Sequence, residues 1–222
     1  MPGPFVHKAS LEIVKDMLKS IRDDKLDLHI DTPLNLLYYL KPDREGQSHG
    51  ADVKKDYYGI LDMIEKEYLR IRTMFNYKHF NISFLNNEFQ EAILYLNHYL
   101  CDSMTVNQIS GNDFWGRKDD LIDVASEMVW DKKKYQTRPS FKYYEKYDDL
   151  YKVAKYRITD TYKNYHDDAL KWTNSWYKYI PFYLSRKVTN MIHRAVTYSA
   201  HTTALFVYKA YIEIIKEGES NA

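Results

Sequence analysis

Apolar residues recur along much of this chain at spacings of three and four, the period of a helix that buries one face. Leu11, Val14, Met17, Leu18 and Ile21 form the first series. Ser10 precedes it as an N-cap, and together they predict a helix over about residues 10–22. Asp31-Thr32-Pro33 is a second start signal, with Thr32 as the cap and Pro33 at the first helical position. Leu34, Leu37 and Tyr38 follow, and Pro42 stops this short helix near Leu40. Residues 41–50 read as a polar loop. Next, Val53, Tyr57, Ile60, Ile64, Tyr68, Ile71 and Phe75 lay one stripe along about six turns. Asp52 and Asp56 near its start and Arg70 and Arg72 near its end suit the helix dipole.

Two further runs close the chain. Ile180-Pro181 opens the first, through Val188, Met191, Ile192 and Ala195. Leu205, Tyr208, Ile212 and Ile215 form the second. The polar step from Ser199 to Thr203 between them predicts two separate helices. The middle, residues 76–178, is ambiguous. Phe80 to Phe84 alternates as a strand does. Leu85, Phe89, Ala92, Ile93, Leu96 and Leu100 fit a helix, yet Ile93 to Leu96 also fits a buried strand. Ser110 to Asp113 is a turn, Leu121 to Trp130 fits either type, and Lys132 to Ser140 is a basic, proline-containing loop. From Tyr143 to Trp176 the chain is dense in Tyr, Lys and Asp. The expected fold is mainly α: a single domain over residues 1–222, with a helical bundle built from residues 9–75 and 179–217. Residues 76–178 would be a mixed insertion with room for β-structure, and residues 1–8 and 218–222 flexible ends.

Composition agrees with helix. Only 7 Gly and 6 Pro occur among 222 residues, and 45% of residues are hydrophobic, enough for a sizeable core. Tyr is abundant at 22 residues. Its apolar ring and polar tip suit half-buried surfaces and subunit contacts. A Lys/Asn/Tyr-rich coding bias would give the same count. The net charge of +1 lacks the basic excess of a duplex-gripping protein. One cysteine, Cys101, rules out an internal disulfide and suits a reducing compartment. No run of about 18 apolar residues is present, so no membrane-spanning helix is expected. Met1-Pro2-Gly3-Pro4 reads as a short extended arm rather than a signal or transit peptide.

Candidate chemistry is sparse. His166-Asp167-Asp168 pairs imidazole with carboxylate, but a metal or phosphohydrolase site needs further ligands, and the trio reads as a solvated polar turn. His193 and His201 flank the expected helix junction as a metal pair or pH switch, or as ordinary polar positions at a helix end. His98 and Cys101, at i and i+3, suit a thiolate–imidazole contact or simply a lone buried cysteine. No nucleophile elbow, zinc-protease helix, paired Cys-x-x-Cys or glycine-rich phosphate loop occurs, and no cofactor, metal or catalytic residue is assigned. Lys132, Lys133, Lys134 and Arg138, with Tyr143 and Tyr144, form the best basic–aromatic patch, a mixture that suits single-stranded nucleic acid. Glu145, Asp148 and Asp149 dilute it, and a solvated loop or a salt-bridging subunit interface fits as well.

Three segments together resemble the tail tubular protein A family, the head-to-tail adaptors of short-tailed phages. Leu11 to Ile21 is similar to the family's opening helix, although Arg22 stands where its closing turn has glycine. Ala51-Asp52 through Ile60, Leu61 and Ile64 to Phe75-Asn76 matches an Ala-Asp start and an aromatic-Asn close, with Arg72-Thr73-Met74 in place of Arg-Gly-Trp. Ile180-Pro181-Phe182 onward looks like the family's Leu-Pro, long helix and final acidic helix, with Ala195, Glu213 and Glu217 in keeping. Trp115 to Leu121 is a weaker match that lacks the family's glycine, and residues 131–178 match nothing in it. The likeness covers about half the chain and rests on shared order and spacing.

The resemblance implies a non-enzymatic virion protein of the phage neck, made in the host cytoplasm. It implies a ring, usually of twelve copies, between the portal protein and the tail tube or nozzle, with DNA passing through the lumen and no membrane partner. Lys132, Lys133, Lys134, Arg138, Tyr143 and Tyr144 are then candidate interface residues. So are Ile212 and Ile215 on the closing helix, which by analogy docks on the portal. The alternative is a helical nucleic-acid-associated protein that uses the Lys/Tyr-rich patch.

Overall fold

The computed structural model describes residues 4–18, 57–75, 86–105, 150–174 and 186–220. Five helices lie in them: α1 (Pro4–Leu18), α2 (Tyr57–Phe75), α3 (Asn86–Asp102), α4 (Leu150–Asn174) and α5 (Arg186–Ser220). No strand occurs among the described residues. Mainly α is therefore what the chain shows. Ile93 to Leu96 is helical, within α3. The short helix after Thr32, the alternating segment at Phe80–Phe84, the turn at Ser110 and residues 121–130 lie outside the described residues.

Helix α5 is the hub, packing against each of the other four helices. Its 35 residues correspond to about 52 Å of helix. The two closing helices expected from the sequence are this one continuous helix. No glycine or proline occurs between Arg186 and Glu217, and the polar step bonds back into the helix instead of breaking it. Ser199 Oγ donates to the Ala195 carbonyl, Thr202 Oγ1 to the Tyr198 carbonyl and Thr197 Oγ1 to the His193 carbonyl. From Thr202 to Val207 six successive residues are buried, so α5 is enclosed on every side there.

The expected division into core and insertion takes a different form. Helix α3, from the segment between the expected core helices, is buried without a break from Ala92 to its end at Asp102, and the burial continues through Thr105. Its Phe89, Ile93, Leu96 and Leu100 join Val14 and Leu18 of α1, Ile60, Ile64 and Ile71 of α2, and Leu205, Phe206 and Ala210 of α5 in one core. Leu150, Val153 and Ile158 of α4 complete it. A smaller cluster joins Ala169 and Trp172 at the end of α4 to Val188, Met191 and Ile192 at the start of α5. That pairing makes α4 and α5 antiparallel. Helix α1 also begins earlier than Ser10. Pro4 opens it, where proline's missing N–H costs nothing, and Ser10 lies in its interior. At the other end α5 continues through Gly218 to Ser220.

Polar ties set the register at the core's margins. Tyr68 Oη donates to Glu213 at 2.7 Å while its ring meets Phe206 edge-on at 5.3 Å, and Arg70 pairs with Glu91 at 2.8 Å. Between α4 and α5, Arg157 and Arg194 both lie over the Tyr198 ring, at 5.3 and 4.9 Å, and Arg194 pairs with Asp160 at 2.9 Å. Truncating a hub residue should expose how far the bundle depends on α5. Phe206→Ala is expected to cost about 3–5 kcal/mol, against under about 0.5 kcal/mol for half-exposed Leu69→Ala, both read from urea unfolding midpoints.

Candidate functional site

Where α1, α3 and α5 meet, the core turns polar. His7, Ser10, Asn97, His98, Cys101, Asp102, Ser199 and Thr203 are all buried there. Small side chains at Ala9, Ser10, Ser199 and Ala200 let the helices approach closely, and polar atoms fill the seam. Ser10 Oγ donates to Asn97 Oδ1 at 2.7 Å and lies 2.9 Å from Ser199 Oγ. Thr203 Oγ1 donates to the same Asn97 oxygen at 3.2 Å, and Cys101 Sγ donates to Ser199 Oγ at 3.1 Å. The network thus ties α1, α3 and α5 at one level.

Beside it sits an ionisable triad. His98 and Asp102 are four residues apart on α3 and so share a face; His7 arrives from the first turn of α1. Asp102 Oδ1 lies 3.3 Å from His7 Nε2, and Asp102 Oδ2 lies 3.1 Å from His98 Nε2. The two imidazoles stack with centroids 4.4 Å apart and planes 8° from parallel. Tyr99 meets His98 edge-on at 5.9 Å. All three triad side chains are at most 1% exposed. Just beyond, α3 closes with Ser103 and Thr105 hydroxyls on the Leu100 and Asp102 carbonyls. Asp102 is therefore a buried carboxylate at the negative end of a helix, a placement that demands positive compensation.

The residues singled out from sequence fare unequally. His166, Asp167 and Asp168 lie on α4 and not in a turn. His166 Nδ1 is 3.1 Å from Asp167, Lys187 Nζ bonds Asp168 at 2.9 Å, and a solvent-open depression lined also by Lys163 and Lys171 surrounds them. His193 and His201 lie on the continuous α5 and not at a helix junction. They do not join a metal-competent cluster; His7, His98 and Asp102 are the one group of that kind among the described residues. Burial, with Arg157 nearby, lowers His201 from its usual 6.5 to about 4. Cys101 is a lone buried cysteine. Burial pushes its thiol up to about 12, and its Sγ faces Ser199 and Asn97 instead of His98. Ile212 packs against the chain's own core, and Ile215 lies on α5. Lys132, Lys133, Lys134, Arg138, Tyr143 and Tyr144 lie outside the described residues.

The triad was only half visible in the sequence. His98-x-x-x-Asp102 on a helical pattern is a readable signal, but His7 falls in the segment, residues 1–8, expected to be a flexible end. Comparison with protein-family models, with curated proteins and with solved structures found no match. The likeness to the tail tubular protein A family thus rests on the residues that carry it.

Two measurements follow from these environments. Cys101 should be inert to a thiol-specific disulfide reagent at pH 8 in the native protein and react fully after unfolding. His201 resists, in the folded chain, a proton that the unfolded chain accepts below its usual value. Stability should therefore fall as pH drops from 6.5 towards 4, by up to about 3 kcal/mol from this residue. His201→Asn should flatten that loss in urea titrations at pH 7 and pH 4.5.

Proposed function

We propose that this chain is a structural, non-catalytic subunit: a ring-forming head-to-tail adaptor that joins the portal of a short-tailed phage to its tail and lines part of the DNA channel. The observation that carries the reading is the order and packing of the helices. The three segments that resemble the tail tubular protein A family fall on or beside α1, α2 and α5, and α5 packs on both of the others. The sealed triad is in keeping with a non-catalytic role, because side chains at most 1% exposed offer no substrate a path. One feature departs from the family's pattern, since a single helix stands where the family has a long helix and a final acidic one.

A second reading draws on α4. Lys152, Lys155, Lys163 and Lys171 are exposed along it together with Tyr156, which is 67% exposed, a basic–aromatic face of the kind that tracks phosphates. Asp167, also exposed there, dilutes it.

Electron microscopy separates the two. Mixed with the portal of its source phage, the chain should form a ring on the portal vertex. No ring on portal complexes, and none in virions, overturns the adaptor reading; a monomer in isolation does not, because the portal can act as template. The second reading predicts DNA binding that weakens steeply with salt and falls when Lys155, Lys163 and Lys171 of α4 become Glu; if it needs the Lys132–Lys134 patch as well, changing those three to Glu weakens it further.

A further inference from the structure

We propose that His7, His98 and Asp102 bind one divalent transition-metal ion of the zinc class, as a structural tie between α1 and α3. One donor atom from each residue lies within 4.8 Å of the other two. His7 Nε2 lies 3.3 Å from one Asp102 oxygen, Oδ1, and His98 Nε2 lies 3.1 Å from the other, Oδ2. Four-coordinate zinc with bonds of about 2.0–2.1 Å holds neighbouring donors about 3.3 Å apart, so the cluster already has that scale. Two imidazoles and one carboxylate are a donor set suited to zinc and neighbouring first-row ions, and poorly suited to calcium or magnesium, which take oxygen.

The electrostatics point the same way. Asp102 is fully buried and is the last residue of α3, where the helix dipole repels an anion. A dication held by the carboxylate and both imidazoles offsets its charge directly. Cys101, although adjacent in sequence, turns its sulfur to Ser199 and does not join the donors. Three protein donors leave a fourth position for water.

The stacked rings set a condition. With planes 8° from parallel, lone pairs lying in the two ring planes do not meet at one point. Loading turns one ring about its Cβ–Cγ bond until the lone pairs converge. Because the site is sealed, the ion enters as the chain folds and its binding energy becomes folding energy. This inference is independent of the adaptor reading and holds for any role of the bundle.

The test uses the full chain, with zinc and cobalt as probes. Elemental analysis of the purified protein should find close to one metal ion per chain. Protein unfolded with chelator and refolded without metal should melt at a lower temperature, recover on adding zinc, and take up one cobalt with visible ligand-field absorption. Asp102→Asn and His98→Gln should weaken zinc binding by more than the roughly 10–100-fold of a change behind the ligands, while Cys101→Ser leaves it unchanged. A wild-type chain that refolds without metal to the same melting temperature, with or without zinc, and binds no cobalt overturns the proposal and leaves the triad as an ion-paired cluster. Binding that persists in both ligand variants overturns it too, since the ion then sits elsewhere. The wild-type arms decide even if a variant fails to fold.

Discussion

A sealed carboxylate is the constraint around which the centre of this bundle is arranged. Asp102 has no contact with solvent and stands at the negative end of α3. Burying such a group is unfavourable by several kcal/mol unless it is closely compensated. The compensation comes from His98 one turn back and from His7 on a different helix. The first turn of α1 is thereby committed to one position against α3. The neighbouring hydroxyl–amide seam extends that commitment to α5, since Asn97 accepts from both Ser10 and Thr203. Apolar stripes alone tolerate sliding, because dispersion contacts are non-directional. A slide of one residue here would leave buried polar atoms unmatched, which costs more than the contacts it would regain.

This division of labour explains the shape of the core. Large side chains fill the α2–α3–α5 region: Ile64, Ile71, Leu96, Leu100 and Phe206. Small and polar ones occupy the α1–α3–α5 seam, where Ser10 and Ser199 meet at 2.9 Å. Close backbone approach and polar satisfaction therefore occur together. Helix α4 is held differently. Its contact with α5 is antiparallel and rich in cation–π and ion pairs, with Tyr198 under two guanidinium groups and Asp160 on Arg194. Pairs of that kind at a half-exposed margin are each worth about 0.5–1 kcal/mol, so they orient α4 more than they hold it. The apolar burial of Ile158, Ala169 and Trp172 does the holding.

Helical periodicity was legible wherever one face alone is buried. The stripe from Ile60 through Ile64 and Ile71 to Phe75 marks α2 directly, because its other face is solvated at Asp62, Glu65 and Lys66. The signal weakened where burial is all-round. In α3, Leu94 and Tyr95 are as buried as Ile93 and Leu96, so no polar face marks the period and strand and helix look alike. In α5 the Ser199–Thr203 step looked like a break because polar residues usually face water. Here they face a polar seam and bond back to the preceding turn. His166 to Asp168 misled in the opposite sense, as charged residues on the solvated side of a helix look like a turn when the apolar side is sparse.

Sequence by itself determined the helical class and the regions of the chain that hold α1, α2 and α5. Those properties follow from local spacing and residue type. Tertiary structure alone decided that α3 is buried without a break from Ala92, that α5 is continuous, and that His7 meets His98 and Asp102. Each of these depends on which faces meet across long separations. A buried polar residue and a solvated one are written with the same letter, and only the packing of α1, α3 and α5 distinguishes them.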